Sequence, residues 1–297
     1  MRIVFATDLS IEALAGANLS VAVADADDEE DVEIDMLHVV ESRTFGERQL
    51  FGDDLDVAQA EKLLRRWLNE HAGIDREFNV VVREGDPTEA IEAYVAETGA
   101  DLLVLGQTGK GRFSRMILGS TAHKVAQDPP CRLMFAHREF SAFGHPRRIG
   151  VGVDFDETSN RAVREAADLA RRLDAGVDVV HVFDPPRTPA FPGGLIGYDV
   201  TDDDIDELEQ EAERQMEEFV DDHREILTGL EAKGVVLSGS PTHQLVEYTI
   251  TNGIDVLCLG TVGHSGIDRR LLGSVSGGVV RHMPANMMLV PPVDRTG

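Results

Sequence analysis

Short apolar runs alternate with longer mixed stretches along the whole chain, and this alternation predicts strands and helices in turn. Runs such as Ile3-Val-Phe-Ala and Leu102-Leu-Val-Leu lack polar alternation, which is typical of strands buried on both faces of a parallel sheet. The first half predicts strands at about 2–7, 32–39, 77–82, 101–105 and 131–136, and helices at about 11–25, 55–72, 87–98 and 119–127. The second half predicts strands at about 148–153, 177–183, 233–237, 255–259 and 286–290.

The two halves repeat each other. Gly85-Asp-Pro-Thr returns 154 residues later as Gly239-Ser-Pro-Thr, and no gap is needed from there to the last strand. Earlier landmarks pair at smaller offsets, which places insertions in loops, as expected of a duplicated domain. We therefore predict two domains, residues 1–140 and 147–297, joined by a polar linker at Arg138–Arg147.

Strands that alternate with helices and are buried on both faces predict the α/β class. The proline that follows each repeated glycine motif, Pro87 or Pro241, suits the first turn of a helix. We predict two tandem Rossmann-like, doubly wound domains. Each is expected to hold a five-stranded parallel sheet with helices on both faces.

The charge balance is strongly acidic, with 54 Asp and Glu residues against 28 Lys and Arg residues and a net charge of −26. The acidic residues are spread over both halves and lysine is scarce, which favours a solvated acidic surface and indicates a halophilic, haloarchaeal source. The same charge argues against sequence-independent binding of nucleic acid, because that binding needs a basic face.

The two cysteines and the lengths of the apolar runs indicate where the protein is located. Cys131 and Cys258 lie inside apolar predicted strands, so we interpret them as small core residues and not as a disulfide or a metal pair. The first predicted strand begins at Arg2, and no run approaches the roughly 20 apolar residues that span a membrane. We expect a cytoplasmic protein without a signal peptide or membrane insertion.

One glycine pattern occurs twice and is the main chemical signal. Gly106-Gln-Thr-Gly109, nine residues and Gly119-Ser120 return as Gly260-Thr-Val-Gly263, nine residues and Gly273-Ser274. Each copy follows an apolar run that predicts a strand. Glycines allow a ligand to approach the backbone closely, and a Gly-Ser that opens a helix offers free N–H groups to an anion. Two copies in register favour a nucleotide phosphate site over a turn without a ligand.

Aspartates follow the first strand of each half, at Asp8 and Asp154. Ligands of open parallel sheets bind outside the carboxyl ends of the strands, where the strand order reverses. If strands one and four of each half are neighbours, the aspartate and the glycine loop face each other across one cleft. The carboxylate can then accept hydrogen bonds from a base or a ribose while loop amides hold phosphates.

This constellation resembles the universal stress protein family over both halves of the chain, with the adenine nucleotide alpha hydrolase-like form of the fold. The resemblance implies ATP as the ligand, alone or with Mg²⁺. It implies that Asp8 and Asp154 contact the adenosine and that the backbone at Val39 and Val182 lies against the adenine. The residues implied in phosphate binding are Gly106, Gly109, Gly119, Ser120 and Thr121 in the first half, and Gly260, Gly263, Gly273, Ser274 and Val275 in the second.

Several alternatives remain open on the residues alone. Asp8 and Asp154 could instead cap the following helices. His38 and His181 occupy paired positions on strand two, where they could transfer protons or simply pack beneath the site. Many relatives have a basic residue before the second glycine, where this chain has Thr108 or Val262. The second half, with Gly273-Ser-Val-Ser, is the closer match to the nucleotide-binding pattern.

The resemblance implies an ATP-binding stress-response protein with little or no catalysis, since the chain shows no evident general base or second-substrate site. Other classes stay open: an enzyme that activates a substrate with ATP, a slow ATP hydrolase, and a nucleotide-free interaction module that regulates a partner such as a transporter. Family members associate through their last strand. We therefore expect the two domains to pair within the chain, and a homodimer of such chains is a further possibility.

Overall fold

The computed structural model describes residues 1–26, 32–41, 57–71, 76–107, 118–140, 145–185, 202–261 and 272–292. The first half contains β1 (Arg2–Ala6), α1 (Leu14–Asp25), β2 (Glu33–Val40), α2 (Val57–Glu70), β3 (Asn79–Glu84), α3 (Pro87–Thr98), β4 (Leu102–Gly106), α4 (Ser120–Gln127) and β5 (Arg132–Ala136). The second half contains β6 (Arg148–Val153), α5 (Glu157–Leu173), β7 (Gly176–Phe183), α6 (Asp202–Asp222), α7 (Arg224–Leu227), β8 (Ala232–Ser238), α8 (Pro241–Thr251), β9 (Val256–Gly260), α9 (Ser274–His282) and β10 (Asn286–Val290). All ten predicted strands are observed, which confirms the predicted α/β class.

The strands form one ten-stranded sheet in the order β3-β2-β1-β4-β5-β10-β9-β6-β7-β8. Within each half the strands are parallel, and the order reverses between strands one and four. The condition on which the predicted cleft depends is therefore met, since β1 pairs with β4 and β6 pairs with β9. The halves join where β5 pairs with β10 in the antiparallel direction, with Met134 opposite Met288.

Helices cover both faces of the sheet, because each strand is apolar on both sides. Ile3 and Phe5 of β1 belong to one apolar cluster with residues of α1, α2, α5 and α6. Val4 and Ala6, which point the other way, belong to a second cluster with residues of α3, α4, α8 and α9. Cys131 and Cys258 are both buried thiols, as expected of small core residues.

The repeated Gly-x-Pro-Thr motif turns the third strand of each half into the helix that follows it. Gly85 has φ +132° and Gly239 has φ +130°, a conformation that side chains rarely adopt. The prolines occupy the first turns of α3 and α8. In the first half, Asp86 caps α3 by accepting from the backbone N–H groups of Thr88 and Glu89, and these bonds hold the pKa of its carboxyl below the ordinary value.

The predicted start of the first helix, residue 11, is wrong by three residues. Helix α1 begins at Leu14, and its N-cap position is Ala13, whose side chain cannot accept a hydrogen bond. The matching helix α5 begins three residues after Asp154, at Glu157, because Asp156 accepts from the N–H of Ser159 and caps the helix. A capping side chain therefore decides where the two equivalent helices begin.

A buried carboxylate lies near the amino end of strand two in each half, whereas the glycine motifs lie at the carboxyl ends of their strands. Asp35 accepts from Tyr94 Oη at 2.9 Å and from Asn79 Nδ2 at 3.0 Å. Asp178 accepts from Tyr248 Oη at 2.8 Å. Burial and the bond to Asp35 raise the pKa of Tyr94 to about 12, so this phenol stays protonated and donates at neutral pH.

We expect Gly16→Ala to lower the free energy of unfolding by about 1–3 kcal/mol. A methyl group at this position of α1 would overlap the ring of Phe5, which is fully buried and cannot swing away. The matched control is Gly277→Ala in α9, where the nearest heavy atom would lie 3.5 Å away. That change should stabilise the helix by up to about 1 kcal/mol. Urea denaturation of both variants measures the two changes in the free energy of unfolding. Equal changes would contradict the close packing of Gly16 against Phe5.

Candidate functional site

The sheet topology brings the predicted site residues of each half to one edge. In the first half, β2, β1 and β4 are neighbours, and their carboxyl ends carry Val39, Asp8 and Gly106. In the second half, β7, β6 and β9 place Val182, Asp154 and Gly260 in the same arrangement; these are the points where strand order reverses, and clefts of open parallel sheets form there.

The ends of each glycine loop are joined by one backbone hydrogen bond. The N–H of Gly119 donates to the carbonyl of Gln107 at 3.2 Å, and that of Gly273 donates to the carbonyl of Thr261 at 2.7 Å. Gly109 and Gly263, together with Thr108 and Val262, lie outside the described residues. The described ends are thus held in the same closed geometry in both halves.

Helices α4 and α9 present their amino ends at these loops. Gly119 and Gly273 are the N-cap residues, and neither helix has a side-chain hydrogen bond at its cap within the described residues. Ser120 and Ser274 are exposed first residues, followed by the half-buried Thr121 and Val275. Uncapped N–H groups at a helix start carry partial positive charge and bind anions.

The two aspartates are held by local hydroxyl groups and are not helix caps. Asp8 Oδ1 accepts from the N–H of Ser10 at 3.0 Å and from its hydroxyl at 2.6 Å. Asp154 Oδ1 accepts from the hydroxyl of Ser159 at 2.9 Å. The caps of the following helices are Ala13 and Asp156. Both carboxylates thus lie at the cleft mouth with a fixed orientation.

The residue after each aspartate has a left-handed backbone conformation. Leu9 has φ +61° and Phe155 has φ +62°, values that are unusual for residues other than glycine, asparagine and aspartate. Such strain is retained where the surrounding structure requires it, and it concentrates at functional sites. Because the same conformation occurs at equivalent positions in both halves, we interpret these two turns as part of the functional sites.

The paired histidines of strand two hold the backbone at the aspartate turns. The Nδ1 atom of His38 lies 2.8 Å from the carbonyl oxygen of Thr7, and that of His181 lies 2.9 Å from the carbonyl oxygen of Val153. Each ring therefore donates from Nδ1 to the residue before an aspartate. This geometry favours the packing role over proton transfer.

The described residues contain no group of three or more His, Cys, Asp or Glu side chains arranged to hold a metal ion. Among the same residues, no helix combines the length and apolarity needed to cross a membrane.

Comparison with known proteins gives the family. The profile of the Universal stress protein family matches residues 1–137 and again residues 145–291. The chain belongs to the universal stress protein family. It carries two such domains in tandem.

Relatives and solved structures agree with this assignment. A universal stress protein of Mycobacterium tuberculosis is 26% identical over 226 residues, which are 75% of this chain and 72% of the relative. One of Mycobacterium bovis is 24% identical over 260 residues and covers 84% of both chains. The crystal structure of a universal stress protein from Archaeoglobus fulgidus is similar in fold, with a TM-score of 0.70, 19% sequence identity and 98% coverage of both chains.

In this universal stress protein, sequence reasoning noted Ser276 only as part of the second glycine motif and did not predict the contacts that support the second site. The hydroxyl of Ser276 donates to the carbonyl of Gly260 at 2.6 Å, and Ser159 holds Asp154. A buried side chain beside the first glycine motif, Gln107, was also missed. The available signal was the comparison of the two halves position by position, since Ser159 and Ser276 stand where the first half has alanine.

We expect His181 to titrate below the ordinary histidine pKa of 6.5 in the folded protein, because burial disfavours its charged form. The unfolded chain then binds this proton more readily. The stabilising contribution is fully present above the unfolded pKa and is lost as the pH falls through the folded pKa. His181→Asn keeps an N–H donor for Val153 and does not titrate.

The measurement is the free energy of unfolding by urea between pH 7.5 and pH 5, together with an NMR titration of the imidazole. The wild type should lose more stability over this interval than His181→Asn. An imidazole pKa at or above 6.5, or parallel pH profiles, would contradict the burial of the ring.

Proposed function

We propose that this tandem universal stress protein binds an adenine nucleotide, ATP alone or with Mg²⁺, in each of its two domains, and acts through binding with little or no catalysis. The observation that carries the proposal is the repeated cleft. In both halves a fixed carboxylate and an uncapped helix start flank the point where the strand order reverses.

The parts of the cleft are complementary to a nucleotide. The amino ends of α4 and α9 supply N–H donors and positive partial charge for phosphates. Asp8 and Asp154 supply acceptors for hydroxyl or amino groups of the adenosine. Because the whole chain carries a net charge of −26, this local positive potential, with Mg²⁺ where it accompanies the ligand, must offset repulsion of the phosphates.

The proposed activity is regulation by linkage. A ligand that binds only the folded form stabilises it by RT ln(1 + [L]/Kd), and one that prefers one conformation shifts the population toward it. Occupancy would thereby report the nucleotide level to a partner in the cytoplasm of a salt-adapted cell. The acidic surface supports this setting.

The test is to denature the protein as purified from high salt and to identify and count the released nucleotide by chromatography and mass spectrometry. About two adenine nucleotides per chain is the expected upper count. Asp8→Ala and Asp154→Ala should each lower affinity at one site by about tenfold or more, since each removes a charged hydrogen-bond acceptor.

The matched control is Glu217→Ala, which removes an equal charge from an exposed position on α6 and should leave binding unchanged. Absence of nucleotide after purification, together with no binding of added Mg-ATP, would overturn the proposal and leave an interaction module. Release of ADP at a multiple-turnover rate would instead indicate an ATP hydrolase.

We also propose that the two domains pair with each other in place of a dimer of single-domain chains. Support comes from the antiparallel register of β5 and β10, in which Leu133 faces Leu289 and Met134 faces Met288. Light scattering should then give the monomer mass of 32.4 kDa. A mass twice as large would indicate a homodimer in addition to this pairing.

A further inference from the structure

We infer that the two nucleotide sites are unequal: the second is preorganised and binds tightly, and the first binds more weakly and fills as the nucleotide concentration rises. This inference rests on the proposed function. It is carried by residues that differ between the halves at equivalent positions.

A side-chain hydroxyl anchors the end of the glycine strand in the second half. Ser276, on the first turn of α9, donates its hydroxyl to the carbonyl of Gly260 at 2.6 Å. The equivalent residue of α4 is Ala122, which has no hydroxyl to donate to Gly106. In addition, Thr158 of α5 packs so closely on Gly260 that a methyl group on that glycine would overlap it.

The aspartate is also anchored differently. In the second half Ser159 is bound twice, because its hydroxyl contacts the Asp154 carboxylate and also accepts from the Asp154 N–H at 2.9 Å. Ser159 belongs to α5, so this aspartate is tied to a helix of 17 residues. In the first half Ala13 stands in its place, and Asp8 is bound by its near neighbour Ser10 within the turn.

An aromatic side chain completes the support of the second site. The ring of Phe155 lies 4.3 Å from that of His181 and 5.4 Å from that of Phe219, between centroids. The aspartate turn is thereby packed against both β7 and α6. The corresponding residue of the first half is Leu9, which lacks such ring contacts.

The first site contains a buried acceptor that no described residue satisfies. Gln107, which follows Gly106 and closes the loop with Gly119, is 6% exposed, and its Oε1 atom has no hydrogen-bond partner in the part of the chain that the structure describes. The matching Thr261 is not among the described residues with such an atom. A buried acceptor without a partner is costly, and rearrangement on ligand binding can relieve it.

Together these contacts mean that the second site has more support before a ligand arrives, whereas in the first site the ligand must supply more of the ordering. Ordering reduces affinity in proportion to the fraction of molecules that are competent to bind. The single tryptophan offers a way to separate the sites. Trp67 lies on α2, which packs against β2 and β3 of the first half.

The experiment is calorimetric titration of the nucleotide-stripped full chain with Mg-ATP, with Trp67 fluorescence followed in parallel. We expect a tight phase without a fluorescence change and a weaker phase with one. Ser276→Ala should weaken the tight phase by about three- to tenfold, and Ala122→Ser should strengthen the weak phase by a similar factor, as expected for one hydrogen bond.

The matched control is Thr249→Ala, which removes another buried hydroxyl that donates to a helix carbonyl, that of Leu245, away from both clefts. It should leave both phases unchanged. Equal affinities at two sites, or a fluorescence change in the tight phase, would overturn the inference and leave the proposed function intact. No binding at all would overturn the proposed function itself. Ala122→Ser keeps the test valid if Ser276→Ala does not fold.

Discussion

Asp178→Ala is expected to lower the free energy of unfolding by about 3 kcal/mol or more. The Asp178 side chain is fully buried. It accepts from Tyr248 Oη at 2.8 Å, and the Arg148 guanidinium lies 2.7 Å from Oδ1 as an ion pair. Lys233 Nζ lies 3.5 Å from Oδ2. Alanine would leave these partners without their shared acceptor.

The large loss of stability expected for Asp178→Ala follows from the burial of this side chain and from the number of elements that it links. Asp178 lies on β7 and links β6, β8 and α8 through its three partners. Burial, followed by the bond to Asp178, raises the pKa of Tyr248, so the phenol is a donor throughout the neutral range. A buried group that loses its partner bears the full cost of desolvation.

Urea denaturation with far-UV circular dichroism measures the loss. Asp178→Asn, which keeps an oxygen acceptor of similar size, is the matched control for volume and should separate loss of charge from loss of packing. Tyr248→Phe should cost about 1 kcal/mol, because it removes one hydrogen bond and leaves the ion pairs. A loss below about 1 kcal/mol for Asp178→Ala would show that the network contributes little.

Raising the salt concentration from 10 mM to 1 M is expected to raise the melting temperature by about 5–10 °C, since roughly 3 kcal/mol of relieved repulsion corresponds to that shift in a protein of this size. Acidic residues outnumber basic ones by 54 to 28, so repulsion exceeds attraction across the surface. The distance over which charges act falls from about 30 Å to about 3 Å over this range of salt.

Helix α6 provides the matched variant. Glu207, Glu209 and Glu213 are exposed on this helix, and changing all three to glutamine removes three charges with little change in volume. The triple variant should melt higher than the wild type at 10 mM salt, and the difference should shrink at 1 M. A melting temperature that is independent of salt, or one that falls, would contradict the self-repulsion and the halophilic hypothesis.

The sequence predicted the strands well because buried parallel strands are continuous apolar runs that few other structures require. Strand β3 was the least accurate, predicted at 77–82 and observed at Asn79–Glu84. It is an edge strand and half-buried, so its apolar signal is weak. The start of α1 was wrong because a helix boundary depends on a capping side chain, which Ala13 does not supply.

The candidate site was predictable to the extent that it is repeated. The spacing of Gly106 and Gly119, and the aspartate after strand one, occur twice, and the topology places them at one edge. The supporting contacts were not predictable, because Ser276 reaches a carbonyl 16 residues away and Phe155 contacts a ring on α6. Such contacts depend on how helices are packed.

The sequence by itself determined the duplication, the order of strands and helices, and the aspartate and glycine positions, because these are local patterns of polarity and spacing. The tertiary structure decided which strands are neighbours, how β5 meets β10 across the halves, and which hydroxyl groups hold each cleft. These features join residues far apart in the chain. The partners in these contacts are selected by packing and by the need to satisfy buried polar groups. Both depend on residues from several segments, so a local sequence pattern does not predict them.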